Sequence, residues 1–135
     1  MSIAASSRTE SGSGTGFFAT FAARASDGNS YVITNNHVVE GATTLVVALD
    51  DGTELPAQLV GNDPTYDVAV LLVRQPNLPA VSLGDSTRLT IGEPVLAIGS
   101  PLGLNGSVTT GIVSALNRPV TTIGNSNLAL FTTLI

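Results

Sequence analysis

Short runs of apolar and β-branched residues alternate with turn-forming residues along most of the chain. Thr44 to Leu49 and Glu54 to Val60 flank the turn Asp50-Asp51-Gly52, an arrangement that predicts a β-hairpin. Phe17 to Ala23 and Tyr31 to Thr34 flank a second turn of the same kind and predict another hairpin. Hairpins at this spacing indicate antiparallel pairing of neighbouring strands.

Three further runs extend the same pattern. Val68 to Val73 is short, continuous and apolar, and its length and flanking prolines favour a strand over a buried helix. Val95 to Ile98 and Ser107 to Leu116 follow turns rich in glycine and proline. No window carries a sustained helical period, apart from one turn after His37. Many short strands at close spacing predict an all-β fold, a barrel or a sandwich.

Composition supports a folded domain and excludes some partners. The chain has 135 residues, of which 43% are hydrophobic and 11% charged, so disorder is excluded. The net charge is −5, and a chain without a basic stripe is not expected to bind nucleic acid. No basic amphipathic helix indicates binding to a membrane surface. The basic residues are scattered arginines: Arg8, Arg24, Arg74, Arg88 and Arg118.

Several site chemistries have no residues to support them. The chain contains no cysteine, which excludes disulfides, thiolate zinc sites and a cysteine nucleophile. One histidine and scattered carboxylates predict neither a metal site nor a cofactor. No apolar run reaches the roughly 18 residues of a membrane span, and residues 1–10 do not read as a signal peptide. The sequence therefore predicts either a cytoplasmic protein or an exported one that lacks its signal.

His37, the only histidine, and Asp67 are the residues that could perform acid-base chemistry. His37 lies in the segment TNNHVV, and Asp67 directly precedes the apolar run VAVLLV. A carboxylate at the mouth of a core strand needs a donor to offset its desolvation, and a histidine could supply one. The same contact orients a catalytic base in nucleophilic catalysis. Their separation along the chain allows almost any geometry, so a hydrogen-bonded histidine at a strand end remains the alternative.

A glycine-rich segment precedes the first predicted strand. Gly12-Ser13-Gly14-Thr15-Gly16 has neither a preceding strand nor a following helix, both of which a phosphate-binding loop requires. We therefore expect a flexible entry to the first strand.

Six segments, in order, resemble the protease domain of the HtrA/DegP family of trypsin-like serine proteases. They are GSGTGF, YVITNNHVVEGA, DGTELPAQLVGNDPTYDVAVL, LGDS, VLAIGSPLGL and GSVTTGIVSALNR, and together they cover residues 11 to about 118. Ser100 and Leu102 stand where many members carry asparagine and phenylalanine. The resemblance implies that His37 is a general base and Asp67 its orienting partner.

The resemblance also implies a domain organisation. Residues 1–16 are expected to be a flexible N-terminal segment, and residues 17–100 the first of two six-stranded antiparallel β-barrels. Residues 101–135 are expected to form a linker and the incomplete start of the second barrel. The chain ends in LALFTTLI, a strand-like run that stops in mid-pattern.

The nucleophile is the member of the triad that the resemblance does not supply. In this family the serine lies in a GNSGG motif, after a strand similar to LALFTTLI. Gly124-Asn125-Ser126 repeats half of that motif, but Asn127 and Leu128 replace the glycines that aim backbone donors at an oxyanion. Ser126 is therefore expected to be a loop serine, and Ser86 in LGDS a turn serine.

The leading prediction is a truncated serine endopeptidase domain, inactive alone, whose complete form cleaves unfolded polypeptides. The family often forms trimers, often carries a PDZ domain and commonly works in the bacterial periplasm or cell envelope. One alternative is a non-catalytic β-barrel module that pairs through its exposed final strand with a partner or itself. Another is a truncation with no function of its own.

Overall fold

The computed structural model describes residues 1–7, 11–21, 27–99 and 107–116. Six antiparallel strands form a closed barrel in the order β1-β2-β3-β6-β5-β4, and β4 pairs with β1 to complete it. None of the helices in these ranges is long and apolar enough to cross a membrane. The barrel elements are β1 Ser2–Ser6, β2 Ser11–Ala19, β3 Ser30–Thr34, α1 Asn36–Val39, β4 Thr44–Ala48, β5 Glu54–Asp63 and β6 Val68–Val73.

The barrel core follows from the alternation of apolar side chains along each strand. In β6, Ala69, Leu71 and Val73 are buried, whereas the residues between them are partly exposed. Successive side chains of a strand point to opposite faces, so every second residue faces the inside of a closed barrel. The remaining buried core side chains are Ile3, Ala5, Phe18, Val32, Val38, Val39, Leu45 and Val47.

The sequence prediction of an all-β, six-stranded antiparallel barrel is confirmed. Both predicted hairpins pair as expected, β4 with β5 and β2 with β3. The strand predicted over Val68 to Val73 has those bounds. The helical turn expected after His37 is α1, which begins one residue before it.

The expectation of a flexible segment over residues 1–16 is wrong for the part of it that the structure describes, residues 1–7 and 11–16. β1 pairs with both β2 and β4, and Ile3 is fully buried. The run between Gly12 and Gly16 lies inside β2, where small residues allow close packing. A Cβ on Gly14 would overlap the side chain of Val38 in α1. Gly14 and Gly16 therefore allow neighbouring elements to pack closely against β2, and they do not indicate flexibility.

Gly16→Ala is expected to lower the free energy of unfolding by about 1–3 kcal/mol, the usual cost of overpacking. A Cβ there would lie 2.6 Å from Ile3 Cδ1, 2.7 Å from Val32 Cγ1 and 3.0 Å from the Ile33 carbonyl oxygen. Gly12→Ala is the matched control, since nothing lies within 4 Å of its Cβ position on the same strand. Urea denaturation of the two variants measures the difference, and equal stabilities would contradict the packing role.

The boundary at residue 100 also differs from the prediction. The sixth and last strand of the barrel is β6, which ends at Val73. A short 3₁₀ turn follows at Ser86–Arg88. β7 (Pro94–Gly99) was assigned to the first barrel, but it pairs with β8 (Ser107–Ile112) in a separate two-stranded sheet. That this sheet starts a second barrel stays a prediction.

Two compact units divide the chain. One contains the described residues up to Ser82 together with Ile98, Gly99 and Ser107, and the other contains residues 83–97 and 108–116. In the second unit, backbone hydrogen bonds join Val113 to Gly92 and Glu93. The barrel and α1 lie in the first unit, which therefore holds both His37 and Asp67.

Candidate active site

His37 is carried by α1, a four-residue helix between β3 and β4. A helix this short does not form in isolation, because nucleation costs more than one turn of hydrogen bonds returns. Packing holds it instead: Val38 and Val39 join the barrel core, and Asn36 is also buried. The His37 side chain points the other way and is 60% exposed. The helix thus anchors its buried face and presents the imidazole to solvent.

Asp67 ends the tight turn that joins β5 to β6. Asp63 Oδ1 accepts hydrogen bonds from the backbone N–H groups of Thr65 (2.9 Å) and Tyr66 (3.3 Å), which fixes the turn. Asp67 itself has a φ of 53°, in the left-handed region that few residues other than glycine adopt. A conformation that costs of order 1 kcal/mol persists only where neighbouring contacts hold it, and such residues cluster at functional sites.

Those contacts come from the segment around His37. The His37 backbone N–H donates to Asp67 Oδ1 at 2.8 Å, and His37 Nδ1 lies 2.7 Å from Asp67 Oδ2. Asn35 Nδ2 donates to the Asp67 carbonyl oxygen at 3.1 Å and to Oδ2 at 3.3 Å. The structure therefore brings together the two residues whose meeting their spacing could not establish.

These bonds also compensate the Asp67 carboxylate for its partial burial. The side chain is 22% exposed; Oδ1 accepts from the His37 backbone N–H, and Oδ2 accepts from His37 Nδ1 and Asn35 Nδ2. Hydrogen bonds to an ionised carboxylate are shorter and stronger than bonds between neutral groups. A carboxylate held from both oxygens cannot rotate without losing several of them at once. Asp67 is consequently a fixed acceptor for the imidazole.

The fixed acceptor decides how the neutral imidazole is protonated. Asp67 Oδ2 can only accept, so the short contact requires the proton on His37 Nδ1. Nε2 then carries a lone pair, and the exposed ring makes that lone pair reachable. Within the described part of the chain, the His37 side chain hydrogen bonds with Asp67 alone. A hydroxyl placed against Nε2 would find a base ready to accept its proton.

Of the serine candidates from the sequence, the structure describes Ser86, which belongs to the second unit. Ser86 begins the 3₁₀ turn that Asp85 caps, with Asp85 Oδ1 accepting from Thr87 Oγ1 at 2.6 Å and from Thr87 N at 3.0 Å. These bonds from the Thr87 hydroxyl and N–H hold the pKa of Asp85 below its usual range. Ser100, Leu102 and Ser126 lie outside the described residues.

Three asparagines at the site were not singled out by sequence reasoning. Asn35 holds Asp67, and buried Asn36 accepts a hydrogen bond at 2.5 Å from Asn62 Nδ2 of β5. Asn35 and Asn36 directly precede His37, and that adjacency was the available signal. Asn62 is far from both along the chain and gave none. Among residues 1–7, 11–21, 27–99 and 107–116, no group of three His, Asp or Glu side chains could hold a metal ion.

A known protein family matches most of the chain. The family model of the trypsin-like peptidase domain matches residues 14–133, which is most of the chain. The match includes the helix that carries His37, the turn that carries Asp67 and the whole of β2 from Gly14 onward.

Named relatives place the chain more narrowly. A probable periplasmic serine endoprotease of the DegP-like type from Pseudomonas putida (strain GB-1) is 60% identical over 93 residues, which are 69% of this chain and 19% of that protein. The serine protease Do-like HtrA of Bacillus subtilis (strain 168) is 50% identical over 115 residues, or 83% of this chain and 25% of that protein. The chain thus spans about a fifth to a quarter of the length of these relatives.

Solved structures show the same likeness in three dimensions. The HtrA-type protease AlgW with a tripeptide superposes with a TM-score of 0.75 at 42% identity, covering 87% of this chain and 36% of that one. The serine endoprotease from Yersinia pestis gives a TM-score of 0.67 at 36% identity, covering 84% of this chain and 39% of that one. The chain belongs to the HtrA/DegP family of trypsin-like serine proteases.

Proposed function

We propose that this chain supplies the histidine and aspartate of a serine endopeptidase, with His37 as general base and Asp67 as its orienting partner. The observation that carries the proposal is the 2.7 Å contact between His37 Nδ1 and Asp67 Oδ2, made by an imidazole ring that is otherwise exposed to solvent. This arrangement leaves Nε2 as the acceptor for the proton of a serine hydroxyl. Membership of the family gives the reaction class.

The proposed reaction is acyl transfer in two steps. The serine Oγ bonds to the carbonyl carbon of a peptide while its proton moves to His37 Nε2, and the carbonyl oxygen becomes an oxyanion. Collapse of that intermediate breaks the C–N bond, and Nε2 returns the proton to the leaving amine. Water then repeats the sequence on the acyl-enzyme. Asp67 stays ionised throughout and stabilises the imidazolium that each proton transfer forms.

The nucleophile and the oxyanion donors are proposed to come from residues that follow this chain in a complete enzyme. Among the described residues, no serine hydroxyl hydrogen bonds with His37. The relatives that match are four to five times as long as the aligned segment. We therefore expect the 135-residue chain, taken alone, to hydrolyse no peptide bond.

The proposed substrates are unfolded polypeptides, and the proposed location of the complete enzyme is the periplasm. The AlgW structure contains a tripeptide, and a related AlgW structure contains a decapeptide. Several relatives are named periplasmic endoproteases. The alternative of a non-catalytic module that pairs through its final strand depends on residues outside the described ranges, and the His37–Asp67 contact gives it no support.

A chimera tests the proposal. Residues 1–135 are joined to the remaining protease domain of the Pseudomonas putida relative, which is 60% identical over 93 residues. We expect the chimera to hydrolyse unfolded casein and to react with a fluorophosphonate probe, and the 135-residue chain to do neither.

Two substitutions in the chimera separate catalysis from folding. His37→Ala is expected to abolish hydrolysis, whereas Glu40→Ala, one turn further along and exposed, is expected to leave it unchanged. Hydrolysis that persists in a folded His37→Ala chimera would overturn the assignment of His37. Labelling of the 135-residue chain would show that a nucleophile exists within it.

A further inference from the structure

The second half of β5 contains one residue more than its partner strand. Leu59 stands opposite Leu71 of β6, but Gly61 stands opposite Val70, so Val60 is an extra residue, a β-bulge. Beyond the bulge, Asn62 stands opposite Ala69. Bulges of this kind re-aim side chains and are common next to active sites.

The bulge determines which face of the sheet Asn62 occupies. Residues directly opposite each other in an antiparallel pair project from the same face. Ala69 and Leu71 are fully buried, so their face is the inside of the barrel, and Asn62 shares it at the barrel rim. If the ladder were regular, Val60 would stand opposite Val70, Gly61 opposite Ala69 and Asn62 opposite Val68, and Asn62 would project from the outer face.

From the inner face, Asn62 reaches the helix that carries His37. Its Nδ2 donates to Asn36 Oδ1 at 2.5 Å, and Asn36, the first residue of α1, is 5% exposed. A buried carbonyl oxygen without its donor would destabilise the position it occupies. On the other side of the same helix start, Asp67 accepts the His37 backbone N–H. The start of α1 is therefore held from both sides of the β5–β6 turn, by Asn62 near the end of β5 and by Asp67 directly before β6.

We propose that Asn62, aimed inward by the β-bulge at Val60, is a positioning residue that holds the start of α1 so that His37 meets Asp67. It acts through Asn36 and touches neither His37 nor the reacting atoms. The catalytic part of this inference rests on the proposed function, in which His37 is a general base that must be held against Asp67. The positioning itself is measurable without catalysis.

The single histidine makes nuclear magnetic resonance of the 135-residue chain a direct readout. In Asn62→Ala, hydrogen exchange of the His37 backbone amide is expected to rise roughly tenfold, since α1 opens more often without its donor. The Nδ1 proton signal of His37 is expected to broaden, and the amide of Leu71 to keep its protection. Asn62 is exposed, so the variant is expected to fold.

Two further variants identify the donor as the cause. Asn62→Leu keeps a side chain of similar size but can neither donate nor accept a hydrogen bond, so it is expected to behave like Asn62→Ala. Gln58→Ala, an exposed amide on the same strand, is expected to leave His37 unchanged. A wild-type exchange rate at His37 in Asn62→Leu, or equally faster exchange at His37 and Leu71, would overturn the proposal.

Activity of the chimera separates this inference from the proposed function. With positioning intact, Asn62→Ala is expected to lower kcat by roughly tenfold with KM unchanged, since the base is displaced and substrate contacts are not. An inactive chimera with the expected exchange result would remove the proposed function and leave the positioning in place. An active chimera in which Asn62→Ala changes neither exchange nor kcat would remove the positioning alone.

Discussion

Replacing Asp67 with asparagine in the chimera is expected to lower kcat about ten-thousand-fold while the barrel stays folded. The reason lies in the hydrogen bonds that the carboxylate accepts. His37 N–H donates to Oδ1, and both His37 Nδ1 and Asn35 Nδ2 donate to Oδ2. An amide has only one oxygen, so it cannot accept on both sides.

Of its two orientations, the new amide is expected to keep its oxygen at the Oδ1 position. The His37 backbone N–H is a donor that cannot change, whereas the imidazole can move its proton from Nδ1 to Nε2. Asn35 also retains its bond to the carbonyl oxygen of residue 67. With the amide nitrogen facing Nδ1, the ring carries its proton on Nε2 and can no longer accept one from serine.

Nitrogen-15 shifts of the His37 ring measure this tautomer change in the 135-residue chain, independently of activity. Asp63→Asn is the matched control, because Asp63 lies in the same turn, bonds only backbone N–H groups of Thr65 and Tyr66, and makes no contact with the ring. Wild-type kcat in Asp67→Asn, or an unchanged tautomer, would contradict the assigned role.

The parts of the fold that could be predicted are those set by local pattern. β6 is continuous and apolar, and β4 and β5 flank an Asp-Gly turn, so both were evident from residues next to one another. β1 and the start of β2 were missed because they consist mainly of serine, alanine and glycine, and alanine and glycine are depleted in strands. The pairing of β1 with β4 is also non-local, since Ile3 stands opposite Val47 as well as opposite Gly14 of β2. Barrel closure, not propensity, makes these residues strands.

The site likewise has a part that the sequence could predict and a part that it could not. His37 and Asp67 were identified by their type and by resemblance to a family, but no periodicity could show that their atoms lie 2.7 Å apart. That contact requires a left-handed Asp67 at the end of the turn between β5 and β6, and this conformation is a property of the turn in three dimensions. The role of Asn62 depends on the bulge at Val60, and an extra residue is visible only once the partner strand is known.

Leu71→Ala is expected to lower the free energy of unfolding by about 2–5 kcal/mol, a large share of the roughly 5–15 kcal/mol that stabilises a domain. Leu71 is fully buried at the centre of β6, among the largest buried side chains of the barrel. Its removal leaves a cavity that the two flanking strands cannot close, because their hydrogen bonds hold them at fixed spacing.

Leu59→Ala provides the matched control, since Leu59 is the residue directly opposite Leu71 on the same face. Leu59 is 46% exposed, so the same truncation removes less buried surface and is expected to cost well under half as much. Urea denaturation of both variants measures the difference. Equal losses of unfolding free energy would contradict the assignment of Leu71 to the barrel core.

Because β6 begins directly after Asp67, we also expect hydrogen exchange of the His37 amide to be faster in Leu71→Ala than in Leu59→Ala. The barrel core would then be what holds the proposed catalytic pair together.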